Sequence, residues 1–205
     1  PPVISIKIED NGIGFTDKNL SSFNYIYSDS KADRGGKGFG RFVYLKYFNR
    51  AEITSVYKEG QQYKERTFHF VKNDQIIENP KNVDIETTLT GTEVILCSLT
   101  DENIAKLDKK IDTISRKLLE KLLVYFTLDT YKCPQITVYD EHTKQSINLN
   151  SFVGDKNGIY EILKTEFELV SDDKKDRQLF IAKVFKIYFG EKRSSINLVA
   201  NNRLV

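Results

Sequence analysis

The chain has 205 residues, 31 basic and 29 acidic side chains, a net charge of +2 and 40% hydrophobic content, which suits one large or two small globular domains with real cores. That balance gives no strong electrostatic case for nucleic acid and leaves weak or local DNA contact open. No apolar run approaches the ~20 residues of a membrane span and no signal-peptide pattern opens the chain, so a cytoplasmic protein with no membrane partner is expected.

Cys97 and Cys133 have no paired or metal-ligand spacing and read as reduced thiols. His69 and His142 are equally isolated and read as packed or surface residues. The chain enters a strand directly after Pro1-Pro2 and contains no methionine, the pattern of an internal fragment.

VISIKIE alternates apolar and polar residues and predicts a strand running into Asp10. The following DNGIGF has two readings. Asn-Gly is the strongest two-residue hairpin signal. Alternatively, a strand delivers Asp10 to a ligand, with glycines that let backbone approach it. Thr16 is a good N-cap for a short acidic-fronted helix over TDKNLSSFNYIY, which leaves the hairpin a returning strand of only Ile13 to Phe15. After the polar stretch SDSKADRGGKG, a helix is predicted in GRFVYLKYFN, with Phe42, Leu45 and Phe48 on one face. AEITSVY, QYKERTFHFVK and QIIE follow as strands, and GTEVILCSL, apolar almost throughout, as a central one.

From Glu102 to about Phe126, Ile104, Leu107, Ile111, Ile114, Leu118, Leu122 and Phe126 predict one amphipathic helix or two end to end. Its basic residues Lys109, Lys110, Arg116, Lys117 and Lys121 read as a solvated face, with a partner surface as the alternative. PQITVYD, QSINLN, IYEILKTEFELV, QLFIAKVFKIYFG and SINLVANNRLV continue as strands and short helices, with SDDKKDR as a loop tip. The boundary falls near residue 100, giving α+β halves over 1–100 and 101–205.

A second glycine cluster, Gly35, Gly36, Gly38 and Gly40, precedes the predicted helix. Free N–H groups and the positive dipole end at a helix N-terminus suit an anion, and Lys37 and Arg41 add charge. A Walker loop fails because Gly38 follows Lys37. A G-x-G-x-x-G loop fails because its last glycine falls on Arg41.

The order strand, Asp-x-Gly-x-Gly, polar segment, Gly-x-x-Gly-x-Gly, helix, strands, Gly-Thr-strand resembles the GHKL ATPase superfamily of DNA gyrase B, ninety-kilodalton heat-shock chaperones, sensor histidine kinases and MutL. Asp10-Asn11-Gly12-Ile13-Gly14-Phe15 resembles its second motif, whose aspartate accepts a hydrogen bond from the adenine amino group. Gly35-Gly36-Lys37-Gly38-Phe39-Gly40 resembles the third, whose amides hold phosphates. Gly91-Thr92-Glu93-Val94 resembles the fourth, whose threonine supports that aspartate through a water. Ser30-Lys31 is similar to the Ser-Lys before the glycine loop of MutL, and LVANNRLV to a strand segment of the transducer domain in MutL and gyrase B. The run SDSKADRGGKGFGRFVYLKYF resembles bacterial stand-alone members.

The resemblance implies a Bergerat α/β sandwich followed by a left-handed βαβ transducer-like domain. It implies ATP or ADP with Mg2+, held by Asp10, Gly12, Gly14, Lys31, Gly36, Lys37, Gly38, Phe39, Gly40 and Thr92. It further implies lid closure over 16–37 and a homodimer in the ATP state, with DNA or a client protein as possible partners.

The superfamily's catalytic glutamate and magnesium-binding asparagine belong to a motif before Asp10. Neither has a counterpart in this chain, and Glu9, adjacent on a strand, points to the opposite face. The transducer lysine that reaches the γ-phosphate in MutL would fall beyond Val205. Three functions follow for comparison: an ATPase switch whose parent hydrolyses ATP, with this fragment inactive; a two-component kinase, opposed by the lack of a His-bearing dimerisation helix; and a non-catalytic nucleotide-binding or interaction scaffold.

Overall fold

The computed structural model describes residues 5–24, 42–72, 77–100, 107–129, 131–154, 158–170, 177–188, 199–200 and 203–204. The chain divides into two compact units, Pro1–Leu107 and Asp108–Val205. No described helix is long and apolar enough to cross a membrane.

In the first unit, strands β1 (Ser5–Asp10), β2 (Phe48–Glu59), β3 (Gln62–Val71), β4 (Ile77–Ile85) and β5 (Gly91–Leu99) form one antiparallel sheet in the order β1-β5-β2-β3-β4. β1 therefore pairs with β5, some eighty residues away in sequence, and no strand returns after Asn11-Gly12. The hairpin reading is excluded. Helices α1 (Asp17–Asn24) and α2 (Phe42–Tyr47) supply Leu20, Phe23, Phe42, Tyr44 and Leu45 to a core of Phe48, Ala51, Ile53, Phe68, Phe70 and Leu96. Phe23 stands edge-on to Phe15 and Phe70, with ring centroids 5.3 and 5.0 Å apart, a geometry that suits the ring quadrupoles.

The register sorts the inward side chains into rows that cross the sheet. Ile6, Leu96, Ala51, Phe70 and Ile77 form one, and Ile8, Val94, Ile53 and Phe68 the next. The third is polar: Asp10, Thr92, Ser55, Arg66 and Asn82, one residue from each of the five strands. Its ends are exposed, and its middle is buried at Ser55 and Arg66. Arg66, 3% exposed, donates from Nη1 to Phe15 O (2.7 Å), from Nη2 to Asp17 Oδ1 (2.6 Å) and Tyr57 Oη (2.8 Å), and from Nε to Asn82 Oδ1 (2.8 Å).

Several boundaries differ from the sequence reading. α2 ends at Tyr47, and Phe48 is buried as the first residue of β2 rather than as a helical position. The fourth strand is not the short QIIE but Ile77–Ile85, running through Pro80. It is an edge strand, and Asn79-Pro80 stand together opposite Phe68 as a bulge, Asn79 having φ 53°. A proline without an N–H is tolerated at such a place.

In the second unit, helix α3 runs from Ile111 to Thr127 with Lys110 before it extended, so a single helix from Glu102 is excluded; residues 101–106, where the first of two helices would begin, lie outside the described residues. Its buried positions are Ile111, Ser115, Leu119 and Val124, while Leu118 is exposed. The inward face thus follows a four-residue step through Ser115, which a search for apolar periodicity rejects. Hairpins β6–β7 (Thr137–Asp140, Gln145–Asn148), β8–β9 (Ile159–Val170, Arg177–Ile187) and β10–β11 (Val199–Ala200, Arg203–Leu204) complete the unit with a 3-10 turn over Leu149–Phe152. Leu119, Leu149 and Ile159 are its buried core. Lys164 and Lys183 stand directly opposite each other across β8–β9, a repulsive pairing by itself. Asp129 resolves it, accepting from Lys183 at 2.6 Å and Lys164 at 2.9 Å, while Lys183 also donates to Thr127 O at the end of α3.

Three stability predictions follow from these contacts. Arg66→Met leaves Tyr57 Oη and Phe15 O without their donor and should cost about 2–4 kcal/mol in urea unfolding. Asp17→Ala, which removes a carboxylate 72% exposed, should cost about 1 kcal/mol or less. The two lysines hold the Asp129 carboxyl below its ordinary value, chiefly through their hydrogen bonds. A native value depressed below the unfolded one gives stability that is complete above the unfolded value and is lost as pH falls through the native one. The difference in urea midpoint between wild type and Asp129→Asn should therefore be present at pH 7 and shrink as pH drops below about 4.

Candidate functional site

β1 ends at Asp10, whose carboxylate turns back on its own chain: Gly12 N donates to Oδ1 at 2.7 Å. This local turn is a habit of aspartate, and it holds one carboxylate oxygen in place. The other, Oδ2, has no protein partner among the described residues. Beyond it, the chain passes tightly against β2. Gly14 has φ +75°, and a Cβ there would stand 2.2 Å from Val56 O, so neither the conformation nor the space admits a side chain. At Gly91 the same close approach comes from the neighbouring strand, since a Cβ would meet Asp10 O at 2.3 Å. Without that glycine, Thr92 would not sit across the ladder from Asp10.

The loop is tied at both sides. Phe15 N donates to Ser55 Oγ at 2.8 Å, and Asn19 Nδ2 donates to Gly14 O at 2.8 Å. Thr16 caps α1 as its residue type predicts: Asn19 N reaches Thr16 Oγ1 at 3.3 Å, and Leu20 N reaches Thr16 O at 2.8 Å. Ser55 Oγ also lies 3.1 Å from Gly91 O and 3.0 Å from Thr92 Oγ1. One hydroxyl thus joins the Asp10 loop, the start of β5 and the Thr92 side chain.

The structure brings Asp10, Gly12, Gly14 and Thr92 together at one edge of the sheet. Lys31, Gly36, Lys37, Gly38, Phe39 and Gly40 lie outside the described residues, as does Arg41. Glu9 faces away, paired with Lys7 at 2.6 Å beside Glu93, and Lys7 draws its carboxyl below the ordinary value. Among the described residues no group of three or more His, Cys, Asp or Glu is placed to hold a metal ion. Burial pushes the Cys97 and Cys133 thiols up, which suits unreactive rather than nucleophilic cysteines.

Ser55 and Arg66 were absent from the sequence-derived set. The signal was clearer for Ser55, a polar residue between Ile53 and Tyr57 on the inward side of ITSVY, than for Arg66, which has Phe68 two residues ahead but Lys64 two residues behind in KERTFHF. A polar residue in that setting needs partners, and here they are the backbone and side chains of the site.

No protein-family model matches the sequence, and no curated protein matches it either. Among solved structures, the fold is similar to the ATPase region of Saccharomyces cerevisiae topoisomerase II, with TM-score 0.42 and 12% identity over 58% of this chain. It is similar to the same region bound to ICRF-187 (dexrazoxane), with TM-score 0.42 and 14% identity over 58% of this chain. The match spans 35% of the length of each of those chains.

Proposed function

We propose that the first unit binds ATP or ADP as the GHKL resemblance implies, with adenine at Asp10 and Thr92. The observation that supports this most directly is the Asp10 carboxylate. It is exposed at a strand end, fixed through Oδ1 by Gly12 N, and without a partner at Oδ2 among the described residues, with the Thr92 hydroxyl across the ladder. A carboxylate held in this way is a preorganised acceptor for an amino group. Ile8, two residues before Asp10 on the same face and 44% exposed, offers apolar surface beside it for a ring.

In this reading residues 1–100 are the nucleotide-binding core and 101–205 a transducer-like left-handed βαβ domain. Lys31, Gly36, Lys37, Gly38, Phe39 and Gly40 take the phosphates. Nucleotide state then governs lid closure and dimerisation, with DNA or a client protein as the reader of the closed state. Among the described residues no group of three or more His, Cys, Asp or Glu is placed for a metal ion, and Glu9 faces away from Asp10's side of the sheet, so the magnesium ligand that the resemblance implies is assigned to none of them. Nucleotide binding is therefore the chemistry we propose for the described residues.

Thermal unfolding of the full chain tests it. ATP at about a hundred times its dissociation constant should add roughly 2.7 kcal/mol, a shift of several degrees, and Asp10→Ala should abolish the shift. A wild-type melting temperature unmoved by millimolar ATP would overturn the proposal.

A further inference from the structure

Ser55 Oγ has three polar neighbours: Phe15 N at 2.8 Å, Gly91 O at 3.1 Å and Thr92 Oγ1 at 3.0 Å. A serine hydroxyl has one hydrogen and two lone pairs. Phe15 N–H can only donate, so it takes one lone pair. Gly91 O can only accept, so it needs the one hydrogen. Thr92 is the neighbour that can act either way.

Suppose Ser55 gave its hydrogen to Thr92. Ser55 Oγ and Gly91 O would then face each other as bare oxygens at 3.1 Å, with Ser55 only 1% exposed, a repulsive contact in place of a hydrogen bond. The reverse direction satisfies every group: Ser55 donates to Gly91 O, and Thr92 donates to Ser55. Thr92 then has no hydrogen left and offers a ligand lone pairs only. The Asp10 carboxylate across the ladder also only accepts.

We propose that Ser55 is a specificity-determining residue: by taking the Thr92 proton it makes the Asp10–Thr92 end of the row acceptor-only. Such an end favours a base with an exocyclic amine, whose two N–H groups match two acceptors. It rejects the same ring with a carbonyl at that position, because acceptor would face acceptor. This rests on the nucleotide-binding reading above and adds to it a residue that touches no ligand but sets what its neighbour can recognise.

The probes are ATP and inosine triphosphate, which has a carbonyl where ATP has its amine, titrated calorimetrically into the full chain. Wild type should bind ATP at least about tenfold more tightly, as sites built around buried hydrogen-bonding groups discriminate. In Ser55→Ala the Thr92 hydroxyl is released to donate, and the ATP-to-inosine preference should fall about tenfold. Ser55→Cys, close in size with only a weak hydrogen-bonding group, should narrow the preference in the same direction and serves if the alanine variant does not fold. A merely structural serine would weaken both ligands equally and leave the ratio unchanged, which overturns the proposal. A wild type that binds both triphosphates equally overturns it while leaving nucleotide binding intact. A wild type that binds neither ends both readings.

Discussion

Arg66 places a guanidinium at 3% exposure inside a sheet, and the surroundings of the site are arranged to satisfy it. Moving such a charge out of water costs several kcal/mol unless its donors are met. Here they are met in directions that only a planar fork can reach: sideways to Asn82 on β4, and across to Phe15 O, Tyr57 Oη and Asp17. The Tyr57 ring adds a face 4.6 Å from the guanidinium carbon. The loop after Asp10 is therefore fastened to β3 through its carbonyl, while Ser55 fastens it to β2 through its amide. The two ties act on opposite sides of one peptide-bearing residue, Phe15, whose ring is also in contact with Phe23 and Phe68.

These ties require one register. A slip of a single residue in any strand would turn its inward set outward, and the polar row would lose a member that cannot be replaced. The bulge in β4 shows how far the sheet is adjusted to keep this order. Continuing from Thr67 opposite Lys81 without it would bring Glu78 opposite Phe70, against the core. With Asn79 and Pro80 sharing the place opposite Phe68, Ile77 takes that position and packs on the cluster. Asn82 keeps its place beside Arg66, so both the apolar row and the polar row are completed by the same edge strand.

The parts of this arrangement with local causes were legible in the sequence. Strand alternation delivered β1 to Asp10, the threonine cap placed α1, and Asn-Gly lost its hairpin because no returning strand had the length. Gly12, Gly14 and Thr92 were singled out by the family resemblance, and the structure brings them to one edge of the sheet beside Asp10. What depends on long-range pairing was not. Ser55 and Arg66 look like interruptions of apolar strands until β5 and β1 are laid beside them. Ser115 in α3 is passed over for a different reason: a hydroxyl on the inward line breaks the apolar count, although among the described residues its Oγ has no hydrogen-bond partner. Sequence periodicity finds faces that are apolar, and it passes over faces in which a polar residue has been accommodated by neighbours far along the chain.

The second unit applies the same logic with less shelter. A two-stranded ribbon is marginal alone in water, and β8–β9 is anchored mainly at its base. There Ile159 is buried with Leu119 and Leu149, Phe185 packs on them, and Tyr188 N and Gly154 N close backbone bonds to Gly158 O and Ile159 O. Asp129 converts the opposed lysines into a clamp just above that base. Farther out the strands have their own ladder and the stacked pair Phe167 and Phe180, with centroids 5.6 Å apart, while Leu169 and Leu179 are exposed at 54% and 63%. Local opening costs least where few buried contacts must be broken. The ribbon's stability therefore falls from base to tip, and its resistance to opening is set by the charge clamp and the core beneath it rather than by the length of the hairpin.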